Sequence, residues 1–71
     1  MYILSRVNYS DRSSSLEIYK YFRWMVEDVC EQLDLDYESF EQREKACQFI
    51  KDYTNEGKFV HNEQEWEIIE V

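Results

Sequence analysis

Apolar and polar residues alternate at the start of the chain. In residues 2–9, YILSRVNY, strand geometry places Ile3, Val7 and Tyr9 on one face and Tyr2 and Leu4 on the other. The small polar run Ser10 to Ser15 breaks that alternation. Ser14 followed by Glu17 has the spacing of a capping box, which predicts a helix from about 15 to 33. Leu16, Tyr19, Phe22, Val26, Val29 and Leu33 recur along it at steps of three or four, with Cys30 beside them. Ile18, Tyr21, Trp24 and Met25 lie outside this stripe and widen it beyond one face. A helix apolar around most of its circumference needs cover on a second side, from the sheet or from a second subunit. The reading adopted is a homodimer with Tyr21, Trp24 and Met25 in its interface; the plainer alternative is that all three belong to an ordinary core.

Residues 34–38, DLDYE, read as a connector or a very short strand. Ser39 with Gln42 is a second capping box and opens a helix over about 40–54, with Phe40, Cys47, Ile50, Ala46, Phe49 and Tyr53 turned inward. Asn55 and Gly57 supply its stop. KFVH and EWEIIEV then read as short strands joined by the polar turn Asn62-Glu63-Gln64, with Trp66 and Ile68 on one face and Ile69 and Val71 on the other. The order strand, helix, helix, strand, strand predicts a single α+β domain, a three-stranded antiparallel sheet with two helices packed on one face.

Composition excludes one class and narrows others. With 71 residues the chain is near the lower size at which one core holds a fold unaided. Its aromatic share of 17% separates it from disordered acidic tails, which are poor in aromatics. Two cysteines do not make a secreted disulfide framework, and MYILSRVNYS has neither a charged n-region nor an apolar run of signal-peptide length. The location expected is cytoplasmic, the host cytoplasm if the gene is a phage's.

The formal net charge is −8, from 16 acids and 8 bases. That sign opposes direct binding to nucleic acid or to an anionic membrane and favours a basic partner. The charge is also polarised. Residues 1–26 hold four bases (Arg6, Arg12, Lys20, Arg23) and two acids, a net of +2, whereas residues 27–71 hold four bases and fourteen acids, a net of −10. Glu27, Asp28, Glu31, Asp34, Asp36, Glu38 and Glu41 follow one another with no base between them. Glu63, Glu65 and Glu67 are possible extensions of this set near the C-terminus. Acids toward the C-terminal end of a helix oppose its dipole, so folding alone would place Lys or Arg there. A local rule broken without structural gain points to a surface kept for a partner. The alternative is a solvated face that serves solubility only.

Catalytic and metal-binding patterns are absent from the sequence. His61 stands alone, one glycine cannot build a phosphate-cradling loop, and no nucleophile elbow or dinucleotide fingerprint occurs. Asp34, Asp36 and Glu38 alternate like the opening of a calcium loop, but the later glycine and the twelfth-position glutamate are missing. Cys30, Cys47 and His61 lack the paired spacing of a zinc site, and the two thiols read as small core residues. The expectation is a non-enzymatic protein without cofactor or metal.

This profile, short and acidic, rich in aromatics, nearly free of glycine and without a catalytic set, resembles small host-takeover proteins of bacteriophages. Some of these are DNA mimics, among them inhibitors of the bacterial histone-like protein HU. The resemblance covers the whole chain as a profile and no stretch as a motif, so it carries over no residue roles. It implies an inhibitor that blocks the DNA-binding surface of a basic, nucleoid-associated host protein. The four bases of the first third depart from a uniformly acidic mimic and set one face apart. A second reading is an interaction module that uses an apolar face.

Overall fold

The polar run after the first strand turns the chain back on itself. In the computed structural model, which describes residues 1–71, Asn8 N donates to Ser13 O (2.8 Å) and Arg12 N to Asn8 O (2.9 Å). The Asn8 side chain accepts from both the backbone nitrogen and the hydroxyl of Ser10. This turn joins strand β1 (Tyr2–Asn8) to strand β2 (Ser14–Tyr19), paired antiparallel from Tyr2 opposite Tyr19 to Val7 opposite Ser14. The predicted helix over 15–33 is thus corrected: its first third is a strand, and helix α1 spans Phe22–Gln32. Leu16, Tyr19 and Phe22 share helical spacing, but Leu16 and Ile18, two apart, also satisfy a strand face. Pairing with β1 settles the choice, because it satisfies the backbone groups of residues 14–19 along a ready-made ladder. Helix α1 begins after Tyr21, with no side-chain cap.

Helix α2 spans Phe40–Tyr53 and begins where the sequence predicts. Ser39 Oγ accepts from Gln42 N at 3.3 Å, Glu41 lies in its first turn and Lys51 in its last. Thr54 and Asn55 end it, Asn55 at φ 60°. Strands β3 (Lys58–His61) and β4 (Gln64–Glu70) close a hairpin over Asn62 and Glu63, both at positive φ as a type I′ turn requires. β4 pairs antiparallel with β1, giving one sheet in the order β2-β1-β4-β3. The class is α+β as predicted; the sheet has four strands rather than three, the added one being β2.

Cross-strand partners share a face, and this sorts the sheet. Leu4, Tyr19, Trp66 and Ile68 look toward the helices and form one core with Met25, Val26, Val29, Cys30, Ala46 and Ile50. Full burial of each larger side chain contributes about 1.5–3 kcal/mol. Cys30 is buried, Cys47 half-buried, and both thiols are free with their pKa pushed up by burial. Phe49 meets Phe59, His61 and Trp66 edge to face at the α2–β3 side, and Tyr53 stacks on Phe59 at 4.0 Å. Phe40 is corrected from an inward position. It is exposed at the first turn of α2, within cation–π reach of Arg43.

Candidate acidic interaction surface

The two helices treat charge in opposite ways. α2 carries an acid in its first turn and a base in its last, as its dipole favours. α1 has no acid in its first turn and no base in its last; Arg23 stands at its start and Glu31 near its end. The buried stripe of α1 contains Met25, Val26, Val29 and Cys30. At 3.6 residues per turn, Trp24, Glu27 and Glu31 then fall on the outer face, and Glu27 and Glu31 are exposed. Asp28 sits at the flank, half-buried, and accepts a 2.7 Å hydrogen bond from the Tyr19 hydroxyl.

The connector from α1 to α2 is held rather than slack. Asp34 N donates to Glu31 O and Leu35 N to Cys30 O, the two bonds of a Schellman ending, with Asp34 at φ 59°. Asp36 N donates to Gln42 Oε1 (2.7 Å), and Asp36 Oδ1 accepts from Glu38 N (3.0 Å). Arg43 Nη1 donates to Tyr37 O at 2.8 Å, clamping the loop from α2. Asp34, Asp36, Glu38 and Glu41 are all exposed along this ordered stretch. Glu31 joins them at the turn end of the helical hairpin, and Glu27 lies one turn further back along α1.

These carboxylates are not neutralised within the chain. Of its sixteen acids, only Glu65 stands in an ion pair, with Lys58 at 3.7 Å. Four of the eight bases lie over rings, Arg6 over Trp66, Lys20 and Arg23 over Tyr21, and Arg43 over Tyr37 and Phe40, while Arg12, Lys45 and Lys51 are exposed without an ion pair. Cation–π stacking on these rings leaves the acids to solvent.

The other predicted residues lie apart from this end. Glu65 and Glu67 alternate with Trp66, so they occupy the sheet face opposite the helices, where Glu65 also accepts from the Tyr9 hydroxyl. Glu63 is exposed in the β3–β4 turn at φ 61°. Of the predicted self-association residues, Met25 is corrected. It is fully buried in the chain's own core, whereas Tyr21 and Trp24 are each 45% exposed and meet edge to face at 4.7 Å.

The open sheet face holds a feature that the sequence reading missed. Ile18, Ile3 and Ile69 align across β2, β1 and β4, with Leu16 in the next row. Leu16 and Ile18 are 65% and 62% exposed. The alternation of residues 14–19, read as a strand, would have revealed this apolar corner. Beside it is a shallow depression of about 150 Å3 lined by Ser5, Val7, Lys58, Glu65, Trp66 and Glu67, smaller than the ~300–1,000 Å3 usual for small-molecule sites. No three side chains of His, Cys, Asp or Glu converge as a metal site, and no helix is long and apolar enough to cross a membrane. In comparisons with known proteins, no family model, no curated protein and no solved structure matches the chain.

Proposed function

We propose that this protein is a non-enzymatic inhibitor that binds a basic nucleic-acid-binding protein and blocks its DNA-binding surface, with a nucleoid-associated protein of the HU type as the proposed target. The observation that carries this reading is the exposed, unpaired set Asp34, Asp36, Glu38 and Glu41, on a stretch fixed by backbone and side-chain bonds, while Arg43 lies over the rings of Tyr37 and Phe40. Glu27 and Glu31 extend it along α1, about 6 Å of helix rise apart. DNA spaces its phosphates by ~3.4 Å along each strand, so carboxylates spread over a helix end, a loop and a second helix end offer anions at comparable intervals. A pre-ordered anionic surface loses little entropy on docking and is steered toward a basic groove. Glu63, Glu65 and Glu67 are left out of the proposed surface.

The test is displacement of a labelled DNA duplex from purified HU. The wild-type chain is expected to displace it, and a triple variant Asp34→Lys, Asp36→Lys, Glu38→Lys to lose about a hundredfold or more in potency. Equal potency of the two would remove the reading. The second reading, an apolar interaction module, is favoured by the exposed corner at Leu16 and Ile18. It predicts the reverse pattern: loss of target in Leu16→Ser, Ile18→Ser, with the triple Lys variant unaffected.

A further inference from the structure

We propose that the outer face of α1 is the contact surface of a two-fold homodimer, in which two copies of the helix pack antiparallel. The proposal takes Glu27 and Glu31 out of the target surface described above and leaves Asp34, Asp36, Glu38 and Glu41 to it. From the bend before the helix along its exposed side, the order is Lys20 and Tyr21, then Arg23 and Trp24, then Glu27 and Glu31, so bases and aromatics precede acids. A two-fold interface must be complementary to itself, because the same patch supplies both sides. A helix with bases at one end and acids at the other meets that condition only when its partner runs the opposite way. With the axis passing level with Met25, Arg23 of one copy faces Glu27 of the other, and the bend that carries Lys20 lies at the end where the partner's Glu31 sits. The Trp24 rings of the two copies then come together at the centre. Half-exposed aromatics ringed by charged pairs are the usual anatomy of an interface centre.

The same arrangement accounts for the reversed charge order of α1. Alone, the helix places bases at its positive end and acids at its negative end. In an antiparallel pair each acidic end lies beside the positive end of the partner helix and its two bases, so both conflicts are relieved by one contact. The surface is specific to a second copy for this reason; a uniformly basic partner would leave Lys20 and Arg23 opposed by like charge. α1 is only 11 residues, about 16 Å long, so the expected dimer is small and dissociates on dilution. Asp34, Asp36, Glu38 and Glu41 stay outside the contact, one set at each end of the pair.

Sedimentation equilibrium tests this. The wild-type chain is expected to show a concentration-dependent mass approaching twice 8.8 kDa. Two double variants, Lys20→Glu with Arg23→Glu and Glu27→Lys with Glu31→Lys, alter only exposed side chains. Each is expected to weaken self-association by at least about tenfold. Mixed in equal amounts, the two should form a heterodimer, and adding Trp24→Ala to both should abolish it. Circular dichroism confirms folding of each variant. A wild-type chain that remains at 8.8 kDa overturns the proposal. So does a dimer indifferent to the charge reversals, or one lost only with Leu16→Ser and Ile18→Ser, which would place the contact on the open sheet face.

Discussion

At the end of α1 the chain needs a residue at positive φ, and it uses Asp34 at 59° where glycine is the usual choice. The Asp34 carboxylate also adds charge at the negative end of the helix dipole. Glu63 carries a similar strain at φ 61°, in a turn that favours Asn-Gly, but lies away from the acidic end. The two residues therefore separate backbone strain from surface function. Asp34→Gly and Glu63→Gly are each expected to raise stability by about 0.5–1 kcal/mol, since glycine adopts this conformation without steric cost. Asp34→Gly should gain somewhat more, because an anion leaves the helix end. Thermal unfolding reads this as an increase of about 4–8 °C per kcal/mol for a domain of this size. Target affinity should fall for Asp34→Gly and hold for Glu63→Gly. A fall for both would extend the binding surface to the β3–β4 turn.

β2 is joined to α1 by the Tyr19–Asp28 hydrogen bond as well as by the short link between them. Burial, and then that bond, push the Tyr19 hydroxyl well above its ordinary value of 10.0; a bond to Glu70 pushes Tyr2 up as well. The folded chain thus holds protons that the unfolded chain releases near pH 10. This stability is fully present below pH 10 and is lost as pH rises through the higher folded values. Denaturant melts from pH 8 to 12 should show that decline, and Tyr19→Phe should flatten much of it while costing about 1–2 kcal/mol at neutral pH. An unchanged slope in Tyr19→Phe would contradict this link. β2 is also the element that sequence patterning misassigns. β1, β4, α2 and the Asn62-Glu63 turn were legible, because each has one dominant period or a strong local signal. Residues 14–21 fit both periods, and the deciding factor, the free edge of β1, is a tertiary fact. The same limit governs the site. The acids of 27–41 could be read as a run, while the Arg43 clamp, the φ of Asp34 and the burial of Met25 depend on packing. Glu65 and Glu67 separated from the run because one strand step puts them on the far face of the sheet.

At the scale of the whole molecule, charge is organised more sharply than a total of −8 conveys. Most of the exposed acids of 27–41 gather at the turn between the helices, four of the eight bases are drawn onto aromatic rings, and the open sheet face is apolar at one corner. An excess of negative charge of this kind acts on a basic partner over a range set by ionic strength. Raising salt from about 0.1 M to about 1 M shortens that range from ~10 Å to ~3 Å. Burial of apolar surface is insensitive to such screening, so salt distinguishes an electrostatic contact from one made by Leu16 and Ile18. The most direct test is the affinity of the wild-type chain for purified HU, measured by titration calorimetry across that salt range. Anionic mimicry predicts a loss of about a hundredfold or more, falling steadily as salt rises; an affinity that stays constant within about twofold, or rises, would contradict it.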